Sequence, residues 1–416
     1  MSGSNSNTRF SKSDDIQKAP YYHGFLPRED IAKMLRHVGD FLVRLSIPVP
    51  NEKQTYVLSV IKAGVSNKKT TKELKHFIIT KSQDNKYTIS DMPFNSIVEL
   101  VEYYFMTQKD ITSDQNVTLK TPITRKEWQI NNRNVVLIKK LGEGAFAQVW
   151  LVQYHDESIK KDVAAAAKVA KLEKLTKNQI NEIMKEARIM RRLNHPNVIK
   201  MYGVAADDEP LMLIMELCCH GALDSYVKNN KLSLKLKLYL AYGAALGLAY
   251  LHDIRILHRD VALRNCLVGE NEQCKISDFG LSVEDFEKEI GQDLKVPYKW
   301  LSIEALKDGV FYPASDVWSF GVLLWELFND AAEPFSDLNR DQFIIFVIKE
   351  NKRLTIPTYL SEQFKSFIVD KIWNADYLKR PTMKEVANEI FSQIPATSNY
   401  ANNNNDDNNE QTMNNS

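Results

Sequence analysis

The chain has 416 residues, 44% hydrophobic and 26% charged, with a formal net charge of +1. This composition is ordinary for a globular chain, the length suits about two to four domains, and the charge offers nucleic acid no bulk attraction, so no nucleic-acid partner is expected. The start MSGSNSNTRF lacks a basic region followed by an apolar run, Ser2 stands where N-myristoylation needs glycine, and the longest uncharged stretch, 238–251, is too short for a membrane span of roughly 18–20 residues. No transmembrane segment and a cytoplasmic location are therefore expected, and Cys218, Cys219, Cys266 and Cys274, without zinc spacing, are expected as free thiols.

Residues 1–20 are polar and expected to be disordered. Residues 21–120 read as one α+β unit. PREDIAKMLRHV predicts a helix, and GDFLVRLS, QTYVLSVI, KHFIIT and KYTIS predict strands rich in β-branched and aromatic residues. FNSIVELVEYYF predicts a second helix, with Ile97, Leu100, Val101 and Tyr104 at helical spacing. A linker, 121–134, leads to a larger unit, 135–393, which is strand-like to about residue 170 and then helical. The Asn-rich tail 394–416 is expected to be disordered, and the stretch 238–251 reads as a buried helix.

Arg44 lies inside the apolar strand FLVRLS, where alternation sets Phe41, Val43 and Leu45 on one face and Leu42, Arg44 and Ser46 on the other. With helices on both faces this guanidinium is buried, and a buried charge must be paired. Two readings remain open from the tetrapeptide alone: an internal partner or escape to the surface, and a pocket for an external dianion, whose oxygens suit the planar fork. The order YYHGFLPRED, GDFLVR, HFII, FNSIVELVEYY resembles an SH2 domain across its length. The resemblance implies that Arg44 grips the phosphate of a phosphotyrosine, with Arg28, Ser46 and His76 completing the pocket and Phe77 flanking the specificity surface. Tyr21 replaces the family's usual Trp, and the inserts 47–54 and 63–75 are expected to lengthen loops.

In the larger unit, LGEGAFAQVW predicts a Gly-rich turn between strands, whose backbone N–H groups could face phosphates or which could be a plain hairpin. Lys168 lies on the apolar strand VAAAAKVAK and needs an anionic partner. Thr176 and Gln179 predict a capping box opening a helix on which Ile183, Glu186, Ala187 and Met190 share a face, so Glu186 is the expected partner. HRDVALRN and DFG follow. Asp260 can accept a hydroxyl proton, and Asn265 and Asp278 can hold Mg²⁺, a hard ion that prefers oxygen.

In this order and spacing, residues 135–393 resemble a protein kinase domain, so the expected fold class is α+β: an SH2 sheet between two helices, then a bilobal kinase with a β-rich first lobe and a helical second. The resemblance implies ATP with Mg²⁺ or Mn²⁺ as cofactors and an ATP site of Leu141, Gly142, Glu143, Gly144, Ala145, Phe146, Ala147, Gln148, Val149 and Lys168, with Met215 as gatekeeper and Glu216 to Cys218 as hinge. It further implies a Glu304–Arg380 pair and a bracing role for Asp316, while Ile303 replaces a usual Pro. Ala262 stands where serine/threonine kinases usually carry Lys, and Arg264 follows Asp260 by four, as in many tyrosine kinases. An SH2 unit followed directly by a kinase is similar to the Fes/Fer group; no F-BAR region is read here, so its membrane function is not carried over. The expected partners are tyrosine-containing substrates and phosphotyrosine proteins, with recruitment to the membrane periphery through the latter. The alternatives are an SH2-linked pseudokinase adaptor and a dual-specificity kinase.

The activation segment departs from habit. No Ser, Thr or Tyr lies between Ser282 and Tyr298, and Glu284, Asp285, Glu287 and Glu289 occupy the middle. Arg259 of HRD is expected to meet Glu287 in place of a phosphate, although a carboxylate carries less charge and one oxygen fewer. Tyr298 is expected to pack beneath the substrate peptide.

Overall fold

Strand β2 (Asp40–Ser46) is buried on both faces. Phe41 sets its ring 6.0 Å from Phe105 on one side, and Arg44 opens on the other. The structure is a computed structural model that describes residues 15–47, 54–66, 69–112, 116–144, 147–171, 175–284, 288–289 and 297–395. They divide into two units: Met1–Gly221 with Leu267–Asn271 and Lys275–Asp285, and Ala222–Cys266 with Glu272–Cys274 and Phe286–Ser416.

The first unit holds two six-stranded sheets. One runs β1 (Tyr22–Phe25), β2, β3 (Thr55–Ser66), β4 (Lys69–Lys81), β5 (Tyr87–Thr88), with α1 (Arg28–Met34) and α2 (Ile97–Thr107) as its helices. β1 pairs parallel with β2, and β2, β3, β4 and β5 pair antiparallel. Insert 63–75 does not lengthen a loop as expected. Ala63–Ser66 and Lys69–Lys75 continue β3 and β4 as a ribbon whose pairs run from Ile61↔Leu74 to Ser66↔Lys69, beyond the edge of β2. Its backbone groups satisfy one another, so no apolar face is needed and the sequence shows none.

The linker is built into both sheets. β6 (Thr121–Pro122) pairs with β2, and β7 (Gln129–Ile130) pairs with β11 (Met201–Ala205). The second sheet runs β7, β11, β12 (Met212–Glu216), β10 (Lys161–Ala170), β9 (Ala147–Asp156), β8 (Val135–Glu143). Its core includes Ile130 from the linker with Val152, Ala167, Val169 and Ile214. Helix α3 (Lys177–Met190) starts at the capping box of Thr176 and Gln179, as the sequence predicts. Residues 15–20 are also packed rather than disordered: Ile16 and Ala19 are buried, and Gln17 donates to Asp208 at 3.0 Å.

The two sheets meet within this unit. Phe25 N–H donates to the Ala206 carbonyl at 2.8 Å, and Tyr22 Oη–H donates to that of Asp207 at 2.9 Å. Between them Gly24 has φ +60, and a Cβ there would lie 1.9 Å from the Ala206 oxygen, so only glycine fits. Glu29 and Asp30 of α1 face Arg188 of α3, and Arg191 lies 3.7 Å from Asp30 with its guanidinium 4.2 Å above the Trp128 ring.

The second unit is helical: α4 (Leu223–Asn229), α5 (Leu234–Asp253), α6 (Ile303–Lys307), α7 (Pro313–Phe328), α8 (Arg340–Ile344), α9 (Glu362–Ser366) and α10 (Met383–Ser392). α5 contains the stretch read as a buried helix, and α7 is buried along nearly its whole length. A Cβ at Gly321 of α7 would lie 2.4 Å from Trp373 Nε1, so glycine admits that indole against the helix. The cysteines are free thiols, and no helix among the described residues is long and apolar enough to cross a membrane.

Candidate functional site

Three clusters carry the chemistry. In the first, β10 sets Lys168 opposite Val149 and Leu213. Its Nζ donates to Glu186 at 2.7 Å and to Asp278 at 3.2 Å. Glu186 is 4% exposed because α3 turns that face inward with Ile183, Ala187 and Met190. Burial alone would lower the lysine's pKa, but the Glu186 and Asp278 carboxylates outweigh it and hold the ammonium charged, above its ordinary range.

The glycine turn joins β8 to β9, with Gly142 opposite Val149 and Glu143 opposite Gln148. Among the described residues nothing lies within 4 Å of where a Gly142 Cβ would be, and the Ala147 oxygen alone approaches that of Gly144. Ala145 and Phe146 fall outside the described residues. Leu141 is half exposed, and Ala147 is buried. Glu143 is engaged by Lys140 and Lys171, so it points charge at lysines rather than at a phosphate. Met215 pairs in register with Ala166, and Cys218 is buried. The Glu216 carboxylate accepts from Lys200 N–H at 2.7 Å and meets Lys275 at 3.1 Å.

In the second unit, Asp260 stands on a loop fixed by buried carboxylates. Asp316 accepts the N–H groups of His258 and Arg259, each at 2.9 Å, which holds Arg259 at φ +67. Burial opposes the Asp316 charge, yet His252, His258 and these N–H groups keep its pKa below the usual carboxylate value. Glu326 accepts from Leu263 N–H and Trp300 Nε1–H, both at 3.0 Å, while burial pushes its pKa up to about 7. Asp260 receives Arg264 at 2.5 Å and the Asn265 amide nitrogen at 2.7 Å. Arg264 also lies 4.5 Å above the Trp300 ring, and Ala262 is 1% exposed. Arg380 forms a two-pronged pair with Glu304 at 2.8 and 2.9 Å. Arg259 is buried 5.1 Å from the Phe311 ring, and its Nε has no hydrogen-bond partner among the described residues. Tyr298 is half-buried, its ring 5.5 Å from Phe343. Glu287 lies outside the described residues; its neighbour Glu284, in the first unit, pairs with Arg192 at 2.9 Å.

The third cluster is a cavity of about 430 Å³ whose lining includes Arg28, Arg44, Ser46 and His76. Arg44 is 4% exposed, and its Nε has no hydrogen-bond partner among the described residues. Burial and the charge of Arg28 push its pKa down to about 10. His76 bonds Ser59 through Nδ1 at 2.9 Å, and burial with Arg44 and Arg28 lowers its pKa to about 4. Lys177, Ile180 and Asn181 of α3 line the same cavity. The sequence reading missed these, because contact between distant segments leaves no local signature.

A buried lysine–glutamate pair beneath a glycine turn, a braced Asp260 and an arginine-floored cavity define an SH2-linked protein kinase. Residues 135–390 match the family described as protein tyrosine and serine/threonine kinase, and residues 21–104 match the SH2 domain. The chain is 35% identical to Fer-related kinase 1 of Caenorhabditis elegans over 389 residues, covering 92% of this chain and 96% of that protein. It is 36% identical to human tyrosine-protein kinase Fer over 380 residues, 90% of this chain but 44% of that one. It is 32% identical to the transforming protein Fps of Fujinami sarcoma virus over 377 residues, 89% and 41% respectively. The chain belongs to the Fes/Fer family of SH2-containing tyrosine kinases, and its reaction is transfer of a phosphoryl group from ATP to protein tyrosine. It spans nearly all of the worm relative and less than half of the human and viral ones.

Proposed function

We propose that phosphoryl transfer rests on Asp260 as acceptor of the tyrosine hydroxyl proton, with Arg264 and Asn265 fixing its carboxylate. The carrying observation is the set of bonds at 2.5 and 2.7 Å that orients both Asp260 oxygens. When bound, ATP with Mg²⁺ or Mn²⁺ supplies the phosphoryl group and neutralises its charge. The residues present fit that pair. The space above Gly142 admits a phosphate close to the backbone, Lys168 is a charged donor already held in place, and the Asp278 carboxylate and the Asn265 amide oxygen are each the kind of donor that a hard ion prefers. Because the Glu216 carboxylate is committed to Lys200 and Lys275, the hinge between Glu216 and Cys218 offers adenine its main chain. Ala262 and Arg264 support tyrosine as the acceptor.

The Arg44 cavity is read as the phosphotyrosine site, since among the described residues this buried guanidinium has no ion pair and its Nε no hydrogen-bond partner, and such a charge calls for an external anion. Its ligands would be phosphotyrosine proteins, which recruit a cytoplasmic enzyme to the membrane periphery. Arg259 is read as the receiver of an activation-segment anion, supplied by Glu287 where a phosphate is usual; its buried Nε, without a hydrogen-bond partner among the described residues, supports this. The test compares Tyr, Ser and Thr peptides with wild type, Asp260→Asn and Lys168→Ala. Loss of tyrosine phosphorylation in both variants is expected, and normal turnover by Asp260→Asn overturns the assignment. Activity that survives phosphatase and falls in Glu287→Ala supports the carboxylate substitute, whereas an enzyme inert until Tyr298 or Ser282 is phosphorylated rules it out.

A further inference from the structure

The kinase helix α3 shares the cavity that Arg44 floors. Its first-turn residue Lys177, with Ile180 and Asn181, lines the same space as Arg28, Ser46 and His76. Four charged residues line that space: the cations Arg28, Arg44 and Lys177, and a single carboxylate, Glu29, already engaged by Arg188. His76 adds no charge near neutral pH. Lys177 makes no ion pair among the described residues, and it stands at the positive end of the helix, where a cation is unfavourable. Helix stability therefore does not explain its position. The buried Arg44, its Nε without a partner, independently marks the cavity as a ligand site.

A phosphate offers about two negative charges, which Arg28 and Arg44 balance. Lys177 is left over. We infer that the phosphotyrosine site extends onto the kinase domain, and that Lys177, with Asn181 beside it, recognises an acidic residue flanking the phosphotyrosine. Peptide preference is then a property of two domains, and the SH2 residues alone do not contain it. The inference rests on the phosphotyrosine reading of the cavity.

The experiment uses the full chain without ATP and two fluorescent phosphotyrosine peptides, one with glutamates on both sides of the phosphotyrosine and one with alanines. Anisotropy gives each affinity. Lys177→Ala is expected to weaken the glutamate peptide about threefold and Lys177→Glu about tenfold, with the alanine peptide within about twofold of wild type. A glutamate at the helix start complements the dipole, so Lys177→Glu should melt no earlier than wild type, and a binding loss cannot be ascribed to unfolding. Equal loss for both peptides, or none for either, overturns the role of Lys177. Arg44→Lys separates the two levels: it should cripple both peptides, because lysine cannot reproduce the two-pronged contact. If Arg44→Lys binds both like wild type, the phosphotyrosine reading fails, and this inference fails with it.

Discussion

Arg44 and Arg380 are both buried arginines, at 4% and 7% exposure, yet their surroundings are opposite. Arg380 meets Glu304 through both prongs. Arg44 has Arg28 as its charged neighbour, and its Nε has no hydrogen-bond partner among the described residues. A buried charge is tolerated when the fold supplies its counterion, and it is kept at a cost when a ligand is to supply it. The first arrangement holds structure together; under the proposed phosphotyrosine reading, the second stores affinity. Lys168 lies between them, a cation held by two carboxylates, Glu186 and Asp278.

The contrast makes predictions of opposite sign. Glu304→Gln should have the largest effect, destabilising the fold by roughly 3–5 kcal/mol because Arg380 is left buried and unpaired. Chemical denaturation measures it, and a loss below 1 kcal/mol would remove the structural role of the pair. Glu186→Gln should lower turnover roughly hundredfold, since Lys168 loses the group that positions it; steady-state kinetics measures this, and an unchanged rate would break the parallel with Arg380. Arg44→Leu should behave in reverse. Phosphopeptide binding is lost, while the fold is unchanged or about 1 kcal/mol more stable, because a buried charge has been removed. A marked destabilisation would reveal an internal partner.

The smallest effect is pH-dependent. His76 has an ordinary pKa of 6.5 and a folded value of about 4. Between these values the unfolded chain binds a proton that the folded chain does not, so this group's contribution to stability falls as pH drops from about 6.5 to 4. The imidazole is only half-buried, and solvent screening keeps the effect modest. Thermal melts of wild type and His76→Gln should diverge in that window. A bound phosphopeptide should narrow the gap, because its dianion favours the imidazolium. Parallel melts would show that neither burial nor the charges of Arg44 and Arg28 depress this ring's pKa.

Where one element contains the whole pattern, the sequence was readable. Thr176 with Gln179 announced the start of α3, and Ile183, Glu186, Ala187 and Met190 announced its inward face. Asp260, Arg264 and Asn265 lie within six residues, so their mutual bonds follow from local geometry. The β3–β4 ribbon was missed because its strands satisfy each other's backbones without apolar alternation. The pairing of β7 with β11 was missed because a two-residue strand carries no period. Asp30, Lys177 and Asn181 were missed for a third reason: their partners lie on a different sheet or helix, and no spacing along the chain encodes that.

Gly24 also bears on genetics. Any side chain there would strike the Ala206 carbonyl oxygen, an atom that every amino acid possesses. No replacement at position 206 can therefore make room, and a second mutation that rescues a Gly24 variant must shift a whole strand. A search for suppressors should recover changes along β1, β11 or the linker, and none at residue 206 itself. The join between the SH2 sheet and the kinase sheet thus has a lock on one side that its neighbour cannot be mutated to fit.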